Sequence, residues 1–197
     1  MKKLNTYIKE AFNFRINRDT ANRVYNYHPK TWDELRQIIE DRYKELGPGT
    51  AKEPIDFNDI DISEIQTFYN ESSNDGIFNN TNFEYINVLD WDVSNIENMD
   101  WMFSGCYKLK SIDVSNWNVS NVKDMNYMFF ECFNLESIGD ISNWNVSNVK
   151  NMKWIFAGCE KLKSVGNLSN WNVSQVKNME MMFTNSKITN IPDWYEE

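Results

Sequence analysis

The apolar positions of this chain change rhythm along its length. Over residues 2–15, Leu4, Tyr7, Ile8, Ala11 and Phe12 recur at helical spacing, which predicts an amphipathic helix. Residues 16–30 form a polar connector rich in Asn and Arg. A second helix is predicted to follow. Thr31 caps it and Glu34 reaches back in a capping box. Leu35, Ile38, Ile39, Tyr43 and Leu46 form its inward stripe, and Gly47-Pro48-Gly49 stops it. From Pro54 onward the text becomes periodic.

The tryptophans give the period: Trp91, Trp117, Trp144 and Trp171 are 26, 27 and 27 residues apart. Met102-Phe103, Met128-Phe129, Ile155-Phe156 and Met182-Phe183 keep step with them. So do Cys106, Cys132 and Cys159, and Leu109, Leu135 and Leu162, which marks a repeat protein. The later units carry one extra residue near Gly139 and Gly166. Within a unit, Leu109-x-x-Ile112-x-Val114 alternates and predicts a short strand. Met99, Met102, Phe103 and Cys106 fall at i, i+3, i+4 and i+7, which predicts one or two helical turns. Asp61-Ile-Ser-Glu-Ile65 aligns with Asp92-Val-Ser-Asn-Ile96 and reads as a degenerate first turn, with residues 69–82 as a loop inserted in it. Ile191-Pro-Asp-Trp194 reads as a C-terminal cap. One such coil cannot bury its apolar set alone, whereas several copies laid together can.

The pattern Met-Phe-x-x-Cys-x-x-Leu-x-x-Ile, followed by Trp-Asn-Val-Ser-Asn-Val-x-x-Met, resembles the BspA-like leucine-rich repeat proteins. More narrowly, it resembles the DUF285 repeats of bacterial surface proteins and mycoplasma lipoproteins, roughly over residues 55–194 and most clearly over 86–183. The resemblance implies a leucine-rich-repeat solenoid used for protein binding. The expected fold class is therefore α/β: a short right-handed leucine-rich-repeat-like solenoid, one short strand and one short helix per 26–27-residue repeat, with an N-terminal helical cap. Residues 1–53 are expected to be the helical leader and cap, and residues 54–197 the repeat body. Two departures from the family bear on its setting: the chain shows no export signal or lipobox, and its array is short. The leader followed by Asp56-Phe-Asn-Asp-Ile-Asp61 also looks like proteins of phages that infect gut bacteria of the Bacteroides type. Met1–Ala11 is similar to the capsid-targeting leaders of internal head proteins in T4-like phages, which are cut after an apolar-x-Glu triplet. Here Ile8-Lys9-Glu10 is that triplet, before Ala11.

Charge and chemistry narrow the function classes. Lys and Arg number 20 against 29 Asp and Glu, a net charge of −9, where a nucleic-acid groove needs a basic stripe. Residues 1–45 hold ten basic and seven acidic side chains, so the remainder carries −12. No apolar run approaches the ~20 residues that span a bilayer, and Asn5, Lys9 and Glu10 interrupt any signal-peptide core. The expectation is a protein of the bacterial host cytoplasm, or one packaged in a virion, without membrane attachment. The three cysteines share one repeat position, where the fourth unit has Ser186, and read as reduced core thiols. With His28 as the one histidine, and no Cys-x-x-Cys pair or Gly-rich phosphate loop, neither an enzyme nor a cofactor or metal site is expected. Asn118, Asn145 and Asn172, with Ser120, Ser147 and Ser174 and then Asn121, Asn148 and Gln175, read as turn-forming columns.

Candidate binding residues come from the faces. On the strand side, Lys110, Glu136 and Lys163 point outward among small polar neighbours, a flat hydrophilic surface. On the other side, 100° per residue places Trp101 opposite the Met99, Met102, Phe103 and Cys106 cluster. Its equivalents are Tyr127, Trp154 and Met181. Either these large groups pack flat against one another between adjacent turns, or they form an outward stripe for a protein partner. The expected function is a non-enzymatic protein-binding repeat scaffold of bacterial or phage origin. The alternative is a virion-internal or structural phage protein with a targeting leader.

Overall fold

The computed structural model describes residues 25–196. The predicted helix over residues 2–15 and the proposed cleavage triplet Ile8, Glu10 and Ala11 lie outside the described residues. Helix α1 spans Trp32–Leu46. Thr31 caps it by accepting the Glu34 N–H at 3.2 Å, while the Glu34 carboxylate accepts the Lys30 N–H at 2.7 Å. Gly47, at φ 75°, stops the helix and donates its N–H to the Tyr43 carbonyl at 2.8 Å. Leu35 and Ile39 are buried, and Ile38 and Tyr43 pack at the margin of the core. Leu46 departs from the expected inward stripe: it is 43% exposed, on the last turn. Arg42 ties the helix to the first unit. Its guanidinium grips Asp59 at 2.6 and 3.1 Å and lies over the rings of Tyr27 and Phe57, 5.0 and 5.1 Å from their centroids.

The expected fold class is corrected. Among the described residues there is one α-helix, one three-residue 3-10 helix at Leu168–Asn170, and four strands of two residues each. Strand β1 (Ile55–Asp56) pairs in parallel with β4 (Ile86–Asn87), and β2 (Tyr69–Asn70) pairs antiparallel with β3 (Asp75–Gly76). Most of the remainder is turns and bends, not the solenoid of alternating strands and helices that was expected. No helix among the described residues is long and apolar enough to cross a membrane.

Backbone hydrogen bonding explains why the predicted helical turns are absent. A helix uses each interior N–H within itself. Here alternate N–H groups leave the segment. Met99, Trp101, Phe103 and Gly105 donate to Asp124, Asn126, Met128 and Phe130 of the next unit at 2.8, 2.9, 2.8 and 2.8 Å. The intervening groups close two successive turns, Met102 to Met99 at 3.3 Å and Cys106 to Phe103 at 3.1 Å, and a third that overlaps both, Ser104 to Trp101 at 3.0 Å. The i, i+3, i+4, i+7 spacing is thus that of two consecutive four-residue turns. The same set recurs from Met125, Tyr127, Phe129 and Glu131 to Asn151, Lys153, Ile155 and Ala157, and from Met152, Trp154, Phe156 and Gly158 to Asn178, Glu180, Met182 and Thr184, all at 2.8–3.0 Å. The predicted strand shrinks to single parallel bridges, Tyr85 to Ser111 and Ser111 to Ser137, and this column stops where the extra residues near Gly139 and Gly166 begin.

Equivalent side chains pack into columns. Phe78, Phe103, Phe129, Phe156 and Phe183 stack with centroids 5.2–5.9 Å apart. The indole N–H groups of Trp91, Trp117, Trp144 and Trp171 donate to the carbonyls of Phe57, Val88, Val114 and Ile141 at 2.8–3.2 Å, so each buried indole has an acceptor, on a carbonyl that also takes a backbone N–H. Cys106, Cys132 and Cys159 are free and buried, and their thiols donate to the carbonyls of Phe78, Phe103 and Phe129 at 3.0–3.1 Å. Residues 69–82 need a second correction. The insertion is the β2–β3 hairpin alone, because Ile77 and Phe78 are buried core.

Trp144→Phe should lower unfolding stability by about 0.5–1.5 kcal/mol, because the indole bond to the Val114 carbonyl is lost while that carbonyl keeps the Trp117 N–H; urea denaturation measures it. Burial pushes the Cys159 thiol up to about 12. All three thiols are buried, so the folded protein should resist thiol reagents near neutral pH through lack of access, and the three cysteines should react together once it unfolds.

Candidate functional site

In the four units from Met99 onward, the residue two after the first methionine of the double turn sits at positive φ. Trp101, Tyr127, Trp154 and Met181 all sit there, at φ 59°, 57°, 60° and 53°. Four residues on, a second column has the same backbone: Asn80, Gly105, Glu131, Gly158 and Asn185. The second column mostly uses Gly and Asn, the residue types that tolerate this conformation. The first uses four large apolar side chains, for which positive φ is a costly outlier.

The structure brings three of the four predicted stripe residues face to face. Trp101 and Tyr127 stack at 4.3 Å with 20° between planes, and Tyr127 and Trp154 at 6.2 Å with 22°. All three are half-buried, whereas Met181 is 46% exposed at the end of the column. Phe130, absent from the predicted site, completes it. Its ring stands edge-on to Tyr127 and Trp154 at 5.5 Å and to Trp101 at 6.4 Å. A sequence signal for it existed: the aligned positions hold Ser104, Ala157 and Thr184, so Phe130 is the large member of a small column. Beside it, Tyr107 and Phe133 stack at 5.4 Å, with Tyr107 45% exposed. The indole Nε1 of Trp154 is buried with no hydrogen-bond partner among the described residues.

The residue before each stripe member forms a polar rail. The Asp100 carboxylate accepts the backbone N–H of Asn126 at 2.6 Å and its side-chain N–H at 3.3 Å; the Asn126 side-chain carbonyl accepts the Lys153 N–H at 3.1 Å. Lys153 lies 3.3 Å from the Glu180 carboxylate. Burial raises the Asp100 pKa to about 6, opposed by the Asn126 hydrogen bonds and reinforced by the charge of Asp124.

The other sequence candidates resolve into structural roles. Asn118, Asn145 and Asn172 each accept the N–H two residues on, from Ser120, Ser147 and Ser174, at 3.2 Å. Asn121 and Asn148 donate across to the carbonyls of Ser94 and Ser120 at 2.7 Å. On the opposite face Lys110 pairs with Glu84 at 2.6 Å. His28 is exposed, with Nδ1 3.3 Å from Asp61. No group of three or more His, Cys, Asp or Glu side chains among the described residues is placed to hold a metal ion.

Asp100 sets an expected pH response. Its folded pKa lies above the ordinary 3.8, so the folded state holds the proton more tightly than the unfolded chain between about pH 4 and 6. Its contribution to stability therefore falls as pH rises through that window. Asp100→Asn should raise the melting temperature at pH 7.5, and the difference from wild type should vanish near pH 3.5. A constant difference at both values in parallel thermal melts contradicts this assignment.

The family described as "Mycoplasma protein of unknown function, DUF285" matches residues 71–194. No curated protein and no solved structure matches the chain. The matched stretch takes in every unit from the β2–β3 hairpin to Trp194, so the chain belongs to the DUF285 family.

Proposed function

We propose that the protein is a non-enzymatic protein-binding module, and that the edge of the Trp101, Tyr127, Trp154 and Met181 stripe with Phe130 is its contact surface. One observation carries the reading. Four successive units hold a bulky apolar residue at positive φ, while the neighbouring positive-φ column is mostly Gly and Asn. Backbone strain of about 1–3 kcal/mol per site persists where something besides folding retains the residue. The unpartnered Trp154 indole N–H adds a further cost of about 1–3 kcal/mol. The ring faces are engaged with one another, so the surface offered consists of ring edges and the Met181 thioether. Rigid, pre-ordered aromatics lose little entropy on binding, and aromatic side chains and Met are enriched at interfaces.

The resemblance to BspA-like proteins of bacteria supports a bacterial or phage setting and a protein as the partner. Packaging inside a virion is the alternative. Its leader residues would be Ile8, Glu10 and Ala11.

Trp101→Gly with Trp154→Gly tests the proposal. Glycine relieves the strain, so the double variant should keep its circular dichroism and melt within about 3 °C of wild type, a shift of roughly 1 kcal/mol for a domain of this size. Immobilised on beads in bacterial lysate, it should lose the proteins that wild type retains. Equal retention by the two forms rejects the stripe as the contact surface. A cooperative melt lost altogether assigns the rings to folding.

A further inference from the structure

The two ends of the hydrogen-bonded units are finished differently. At the N-terminal end, the carbonyls of Ile77 and Asn79 occupy the positions at which Met102 and Ser104 accept N–H groups from the preceding unit. Among the described residues no double turn precedes them, and Arg36 of α1 takes its place. Its guanidinium donates to Gly76, Ile77 and Asn79 at 3.2, 2.9 and 3.3 Å, and Trp32 donates to Phe68 at 3.1 Å. The acceptor row is closed.

At the C-terminal end the apolar columns are covered and the backbone row is not. Trp194 stacks on Trp171 at 6.4 Å and donates to the Leu168 carbonyl at 3.0 Å. Tyr195 stands edge-on to Phe183 at 5.1 Å, and its hydroxyl accepts the Met182 N–H at 3.1 Å. The N–H groups of Met179, Met181, Phe183 and Asn185 have no acceptor among the described residues. Their equivalents in each of the three preceding units donate to the following unit at 2.8–3.0 Å.

We infer that this end is a second binding surface, which receives a segment of another polypeptide folded into the same double turn. Three interfaces within the molecule show what covers such an edge: a stretch with carbonyls at alternate residues and the pattern apolar-x-x-apolar-Phe-x-x. Addition of a chain segment to an open backbone edge is a recurring mode of recognition. A second copy of this chain does not fit. Its acceptor row is closed by Arg36, and two donor rows brought end to end oppose like groups. This surface is independent of the aromatic stripe and meets it at Met181.

The test uses the full chain and a synthetic peptide copying Lys177–Ser186, followed by amide hydrogen exchange and fluorescence anisotropy at up to millimolar peptide. Without peptide, the amides of Met179, Met181, Phe183 and Asn185 should exchange at least tenfold faster than those of Met152, Trp154, Phe156 and Gly158. With peptide they should slow at least tenfold. A peptide carrying Phe183→Asp should bind about tenfold more weakly. The Trp101→Gly, Trp154→Gly variant should bind the parent peptide as wild type does, which separates this surface from the stripe. Failure of saturating peptide to protect the four amides overturns the inference. So does protection that arises without peptide from a doubling of solution mass, which makes the edge a self-association surface.

Discussion

Backbone polar groups must find partners, and in this protein that requirement sets the relation between units. Half of the N–H groups in each double turn close the turn, and the other half point along the molecule to the carbonyls of the next unit. A unit therefore cannot satisfy its own backbone, just as it cannot bury its own apolar set. Both debts are settled by the same neighbour. This keeps Phe on Phe and thiol over carbonyl at a nearly constant offset. It also explains why so little regular secondary structure is needed: the ladder runs between turns.

The side chains most distinctive of the sequence serve that ladder. Each core tryptophan buries its ring and returns its one polar atom to a carbonyl of the preceding unit, so a large apolar area is hidden without an orphan donor. The asparagines do the same at the rim, with one column shaping turns and the next reaching across units. Against this economy the Trp101, Tyr127 and Trp154 column stands apart. It accepts strained backbone, one unpaired indole and a carboxylate neighbour of raised pKa, all on one partly exposed edge. Departures from local consistency concentrated in one place are where function is sought.

The ends extend the same logic. α1 is docked by Arg42 on Asp59 and supplies Arg36 in place of a preceding double turn. A guanidinium suits this task because its donors fan out in one plane and its charge remains compensated, here by Glu40 at 3.0 Å. The opposite end covers its rings and leaves its donor row uncovered, giving the molecule a polarity that its internal repetition lacks.

By itself the sequence determined the period, the identity of the buried columns, the start and stop of α1, and the reduced state of thiols that recur in odd number on an apolar face. These are local or strictly periodic properties, set by side-chain chemistry at fixed spacing. It also singled out Trp101, Tyr127, Trp154 and Met181, because their large apolar groups fall out of phase with the core. Tertiary structure alone decided what the backbone does between them. The spacing i, i+3, i+4, i+7 suits a helix and a pair of consecutive turns equally, and the choice depends on where alternate N–H groups find acceptors. Those acceptors lie 25 or 26 residues away, in a neighbour that exists only once the chain has folded. For the same reason the positive φ of the stripe, the edge-on Phe130 and the closing role of Arg36 were not visible in the text.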